Sequence, residues 1–191
     1  PNLQYHFLPL AINYDGSSPH RGDGFQFHVG TMRSKSRGFV AIKNADPQNS
    51  PTIKFNYLSH SDDLKDFRNA IRITRNILDQ PAFKDFAGQE IQPKPTVKSN
   101  RELDEFIKSS VESAFHPCGT CKMGDPADKE TVVTPECKVN GIENLFCADS
   151  SIFPSITNGN LNAPSIMVGE KAVDHILNKP LLPKENLVPY N

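Results

Sequence analysis

The chain has 191 residues, 37% of them apolar and 23% charged, with a formal charge of −1. That suits one sizeable core in a soluble globular protein and is too little to argue for two full domains. No basic patch recommends nucleic acid, no acidic tail recommends a solvating segment, and no apolar run is long enough to span a membrane.

The first 60 residues read as strands. YHFLPLAI, FQFHVGTM, GFVAIKN and TIKFNYL are short apolar or alternating runs, separated by the turn compositions DGSS, SPHRGDG, SKSRG and NADPQNSP. The connections at 34–37 and 45–51 are too short for a crossover helix, so the pairing is expected to be antiparallel. The period then changes. Residues 61–80 place Leu64, Phe67, Ile71, Thr74 and Leu78 on one helical face, with Ala70 and Ile77 beside it. Ser61 is the expected cap, Asp62 and Asp63 suit the positive end of the dipole, and Pro81 ends or redirects the helix. A Pro-rich connector, IQPKPTVKS, leads to a second helix over about 100–114. There Ser99 and Glu102 have capping-box spacing, and Leu103, Phe106, Ile107, Val111 and Ala114 form the stripe. Short strands are expected at TVVT, CKVNG and NLFCADSS. A last helix runs from about Asn162 to Leu177, with Pro164 in its first turn and Ile166, Val173, Ile176 and Leu177 facing inward. The tail NKPLLPKENLVPYN reads as irregular.

Two clusters carry chemistry. The first is AFHPCGTCKMG, residues 114–124. Zinc needs about four ligands, and Cys118 with Cys121 offers two, with His116 a third across Pro117. PCGTC matches part of the zinc deaminase pattern, but no upstream His-x-Glu accompanies it. Haem attachment would need a histidine where Lys122 stands, and a thioredoxin-like dithiol should open a helix rather than follow one. The four cysteines, at 118, 121, 137 and 147, are therefore read as free packing thiols of a reducing compartment, with no metal site. His116 is different. Pro117 disfavours the α region at the residue before it, so the imidazole is expected on a stiff turn where the second helix stops. Gly119 and Gly124 would allow something to approach the backbone closely. The pattern fits a base presented to a ligand; a tight turn alone would look similar.

The second cluster is ADSSIFPSITNGNLNAPSIMVGEKAVDHIL, residues 148–177. A strand ends at Asp149, a loop rich in Ser, Asn and Gly follows, and Asn162 and Pro164 open the helix. As plain structure this is a strand–loop–helix connector. As a site it would hold an anion or polar ring against free N–H groups at a helix start.

Together, HPCGTCKMG and VNGIENLFCADSSIFPSITNGNLNAPSIMVGEKAVDHI resemble the C-terminal signature of the glucose–methanol–choline flavin oxidoreductases. PNLQYHFLPLAINY, MRSKSRGFVAIKNADPQNSPTIKFNYLS and GNLNAP are similar to its choline-oxidising branch, so the resemblance covers nearly the whole chain. The resemblance implies an α+β fold: a largely antiparallel sheet covered by helices, as in the family's substrate-binding domain, plus a strand–loop–helix that completes the FAD domain. It divides the chain into a substrate-binding cap at 1–115, a catalytic and flavin-contacting segment at 116–178, and a tail at 179–191. It makes His116 the catalytic histidine and Asn160 its partner. It places Asp149, Ser150, Asn162, Ala163 and Pro164 against FAD, and gives His6 a substrate-positioning role. Ser150 stands where Ala is usual, and Phe146-Cys147-Ala148 where Arg-Val-Val is common.

The implied reaction is oxidation of choline to betaine aldehyde, with FAD as hydride acceptor. The implied electron acceptor is a membrane quinone or respiratory-chain component, which places the protein at the cytoplasmic face in peripheral membrane association. Another primary alcohol, an oxidase rather than a dehydrogenase, and a non-catalytic module of the same fold remain open; His116 and Asn160, whose loss would mark the last, are both present. The chain carries no Gly-x-Gly-x-x-Gly, has no visible signal peptide and opens Pro1-Asn2 without methionine. It reads as the C-terminal third of a longer enzyme, inactive by itself.

Overall fold

Alternating residues in LQYHFL and QFHVGT form β1 (Leu3–Leu8) and β2 (Gln26–Thr31), paired antiparallel with His6 opposite His28 and Phe7 opposite Phe27. The computed structural model describes residues 1–13, 16–17, 21–180, 182–183 and 185–187. Parts of the DGSS and SPHRGDG turns and of the C-terminal tail fall outside the described residues. The chain divides into two units, Pro1–Phe115 and His116–Asn191.

In the first unit, β3 (Phe39–Ala41) and β4 (Thr52–Lys54) form a second antiparallel pair, separate from β1–β2. The α+β class stands, but in place of the one largely antiparallel sheet that the resemblance implies, the described residues form two small antiparallel pairs. The physical reason lies after Thr31. Ser34, Lys35 and Ser36, which would carry β2 toward β3, wrap the carboxylate of Asp63 instead. Asp63 is 2% exposed. It accepts from Ser34 Oγ at 2.7 Å, from the N–H of Lys35 at 2.8 Å and of Ser36 at 2.9 Å, and from Ser36 Oγ. The strands are also shorter than expected. Pro9 supplies no N–H after β1, and Asn56 and Leu58 turn left-handed beyond β4, with φ of 52° and 60°. Gly38 is required where β3 begins, because a Cβ there would lie 2.0 Å from the Lys54 carbonyl oxygen.

The first helix, α1 (Ser61–Leu78), is capped one residue earlier than expected: His60, not Ser61, is the cap, its Nδ1 accepting the Asp62 N–H at 3.2 Å. A 3₁₀ turn at Pro81–Phe83 follows it. The second helix, α2 (Asn100–Ser110), has the full capping box between Ser99 and Glu102. α1 packs on both β2 and α2. Ala70, Leu103 and Ile107 are buried, and the Tyr5 hydroxyl donates to the Ala70 carbonyl at 3.3 Å. Phe27 meets Tyr5, Phe7 and Phe83, at centroid separations of 6.1, 5.3 and 6.3 Å.

The second unit is built around Val133, Cys137, Ile152, Phe153, Leu161, Val168 and Ala172. The strands expected here are single bridges: Met123 with Val133, Val133 with Val139, and Lys138 with Phe146. Left-handed residues at Cys137, Gly141 and Asn144 turn the chain too often for a ladder to extend. The last helix, α3 (Asn162–Ile176), buries Val168 and Ala172, one turn apart. The residues expected to face inward do not. Ile166, Val173, Ile176 and Leu177 are 59%, 45%, 43% and 59% exposed. Both faces of α3 are apolar, so its pattern alone did not say which one this core takes. Small Ala172 beside Val168 allows the closer approach.

Candidate active site

His116 opens the second unit, but no helix carries it there. α2 stops at Ser110, and its cap residue Val111 is already extended. Local bonds replace helical ones: Ser109 Oγ donates back to the Phe106 carbonyl at 2.9 Å, and Ser113 Oγ accepts the Phe115 N–H at 3.0 Å. Phe115 is left-handed at φ 58°. The half-buried His116 ring makes no hydrogen bond or ion pair among the described residues.

Its turn is held from the other side. The N–H groups of Gly119, Cys121 and Met123 donate to the carbonyls of Ser150, Ser151 and Ile152 at 3.3, 2.9 and 2.8 Å. This ladder brings the first cluster onto the second. The glycines serve close packing within the unit. Gly119 is left-handed at φ 89°, and a Cβ there would meet the Phe153 carbonyl oxygen at 3.1 Å, whereas a Cβ on Gly124 would meet Thr131 Oγ1 at 2.6 Å. Beyond the turn, hydrogen bonding to Asp128 raises the Lys122 pKa above its ordinary value.

Asp149 does not end a strand. Its carboxylate caps the 3₁₀ turn Ser150–Ile152, accepting the Ser151 N–H at 2.8 Å. Asn160 is exposed in the loop before α3, and Leu161, its cap residue, is buried. Asn162 and Ala163 are exposed in the first turn, no side chain caps that turn, and Pro164 brings no N–H of its own. His116, Asp149, Ser150, Asn160, Asn162, Ala163 and Pro164 thus all belong to one unit. His6 belongs to the other, on the exposed part of β1.

Three residues escaped the sequence reading. His28 lies directly across from His6, and Gln26 is bound to it. Gln26 Oε1 accepts the Ile12 N–H at 2.9 Å, so its amide nitrogen faces His28 Nε2 and donates to it. The register that pairs the histidines spans a long connection and is not readable locally. The third is Asn158, left-handed at φ 59°, whose Oδ1 is buried without a partner among the described residues. The Asn-Gly signal was visible; the orphaned oxygen was not.

The GMC oxidoreductase family model matches residues 34–169. This chain belongs to that family. Over 190 residues it is 59% identical to a Brucella ovis protein named oxygen-dependent choline dehydrogenase, and 54% identical to the Rhizobium rhizogenes protein of that name. Both alignments take in 100% of this chain and 35% of the relative, so the chain spans about a third of the length of these GMC relatives. Among solved structures, pyridoxine 4-oxidase from Mesorbium loti matches with a TM-score of 0.79 and 29% identity, over 89% of this chain and 33% of that one. A formate oxidase from Aspergillus oryzae RIB40, in a structure concerned with modification of its FAD, matches with a TM-score of 0.85 and 28% identity, over 93% of this chain and 32% of that one.

GMC oxidoreductases are FAD-dependent. The second unit fits such a group: an uncapped helix start offers N–H donors to an electron-rich ring edge, and the orphaned Asn158 Oδ1 offers an acceptor. No helix among the described residues is long and apolar enough to cross a membrane.

Proposed function

We propose that this chain carries the substrate-binding and catalytic segments of an FAD-dependent alcohol dehydrogenase that oxidises choline to betaine aldehyde. The observation that carries the reading is 59% identity, along the whole chain, to proteins named oxygen-dependent choline dehydrogenase. Residues 1–115 supply the substrate-binding cap, and residues 116–178 return the chain to the FAD domain. The outward apolar face of α3 supports this: Ile166, Met167 and Leu177 are 59%, 62% and 59% exposed, which suits a helix that packs against a further domain.

The roles follow from chemistry. An alcohol O–H is a poor acid, so its proton needs an acceptor and the alkoxide-like oxygen needs a donor. His116 accepts the proton, with its ring unengaged by neighbours among the described residues. The Asn160 amide donates to the same oxygen, and His6 positions the substrate. Asp149, Ser150, Asn162, Ala163 and Pro164 hold the flavin edge. The uncapped start of α3 contributes up to about 2 kcal/mol toward negative charge placed against it in partly buried geometry. Bound FAD supplies the hydride acceptor; the residues of this chain bind, orient and move the proton.

Anaerobic spectroscopy of the native protein tests the reading. Added choline should bleach an oxidised flavin spectrum. A flavin that stays oxidised removes choline in favour of another primary alcohol, and absence of flavin removes the enzyme. The final electron acceptor divides two versions. A membrane quinone or respiratory-chain component would leave the reduced flavin slow to reoxidise in air. Dioxygen, favoured by the word oxygen-dependent in the relatives' name, would reoxidise it rapidly with release of peroxide.

A further inference from the structure

Two cysteines from distant parts of the second unit meet at Ser151, one through its thiol and the other through its backbone N–H. Cys147 Sγ lies 3.1 Å from Ser151 Oγ. The N–H of Cys121 donates to the Ser151 carbonyl at 2.9 Å. Cys121 is also a neighbour that acts on the Cys147 thiol, helping to push its pKa up. Both backbones are already fixed, since the Cys147 N–H donates in turn to the Cys137 carbonyl at 2.9 Å. Both residues are half-buried free thiols, and the mechanism above uses neither. The sequence draws attention to Cys118 and Cys121 because they are close in the chain; the fold brings Cys147 to Cys121.

We propose that Cys121 and Cys147 are a redox modification site, oxidised by hydrogen peroxide to a reversible intramolecular disulfide next to the turn that carries His116. The oxidant is of the class that flavin enzymes release when they reduce dioxygen, but the site rests on this geometry and not on the proposed substrate. In the first step one sulfur, as thiolate, attacks a peroxide oxygen. An S–O bond forms, the O–O bond breaks, and the departing hydroxide is protonated to water, leaving a sulfenic acid. The second sulfur then attacks the first. The S–S bond forms, the S–O bond breaks, and the departing hydroxide takes the remaining thiol proton as water. The two sulfurs lose two electrons in total, and one peroxide becomes two waters.

Burial pushes the Cys147 thiol up, the Ser151 hydrogen bond works against that, and the neighbouring Cys121 adds to it. The proposal gives Cys147 the resolving role, with the Ser151 hydroxyl at hand to take part in its proton transfer. Partial burial shields the sulfenic acid from a second peroxide, while both cysteines are held at Ser151.

The test is peptide mapping of the native protein that carries this chain. Reduced protein is exposed to hydrogen peroxide, quenched with an alkylating agent and digested without reduction. The expected result is a crosslinked peptide pair holding Cys121 and Cys147, lighter by two hydrogens than the separate peptides and released by dithiothreitol. In Cys147→Ser protein, dimedone should trap Cys121 as a sulfenic acid. Two results overturn the proposal: a bond from Cys121 to Cys118 instead, or alkylation of both thiols after peroxide that has fully oxidised glutathione in the same tube. The unsubstituted protein decides between these outcomes by itself, so poor folding of the variant leaves the test intact.

Discussion

The Cys121 N–H donates to the Ser151 carbonyl at 2.9 Å, the middle rung of three that hang the His116 turn on residues 150–152. Gly119 holds the first rung, with φ at 89° and room for a Cβ only 3.1 Å from the Phe153 carbonyl. Gly119→Ala should therefore strain the turn by about 1–3 kcal/mol. It should lower the melting temperature and slow flavin reduction about tenfold or more, because small misplacements of a reacting group are costly. Calorimetry and anaerobic stopped-flow measurements check both. An unchanged rate would mean that the rung does not place the histidine.

His116 itself should matter far more. Its ring has no partner among the described residues that a substitution would orphan, so His116→Ala should fold and keep its flavin. Loss of a positioned base should cut the flavin reduction rate by roughly 10²–10⁴. In the proposed role, Asn160→Ala would remove one hydrogen bond to a charged oxygen, about 1.5–3 kcal/mol, and should cost roughly ten- to a hundredfold. Equal losses in the two variants would contradict the division of roles.

The contrast between local and distant information explains what the sequence disclosed. The capping box of α2 was readable because Ser99 and Glu102 sit three residues apart and satisfy each other without help. The GMC signature was readable because whole motifs recur in order. Other features depend on parts of the fold that no window contains. The two α3 faces are both apolar, and only packing shows that Val168 and Ala172 take the core of the second unit. The end of α2 at Ser110 was missed because Pro117 looked like the obvious stop, whereas Ser109 and Ser113 divert the backbone earlier. His28 was missed because its register with His6 is set across a long connection.

Asp63 makes the first unit sensitive to acid. Burial alone would raise its pKa, but hydrogen bonds from Ser36, from the Lys35 N–H and from Ser34 outweigh burial and hold the carboxyl below the ordinary value of 3.8. The folded pKa is the lower one, so the unfolded chain takes up its proton first as pH falls. The stabilisation is fully present above about 3.8 and is lost as pH drops through the folded value. Asp63→Asn should make the dependence of unfolding on pH shallower below that point. Asp63→Ala strands buried donors at about 1–3 kcal/mol each and should destabilise at neutral pH too. Urea titrations at several pH values separate the two effects, and an identical pH dependence for wild type and Asp63→Asn would remove Asp63 as the cause.

The outer face of α3 offers a test of where this chain sits in the enzyme. Ile166 is 59% exposed and Met167 62% exposed here, just beyond the uncapped first turn. Were that face open to water in the working protein, Ile166→Asp would be close to neutral, as most surface substitutions are. Packed against an FAD domain, the same change buries a carboxylate in an apolar contact, and an unpaired buried charge is severely costly. The proposed assembly therefore predicts that Ile166→Asp lowers the flavin content and melting temperature of the native protein. The 191-residue chain expressed alone should tolerate the change and bind no stoichiometric flavin with or without it. Absorbance at the flavin band and thermal melts of both forms give the answer. A fully flavinated, equally stable Ile166→Asp enzyme would place α3 at the surface and leave the FAD domain to be completed by other residues.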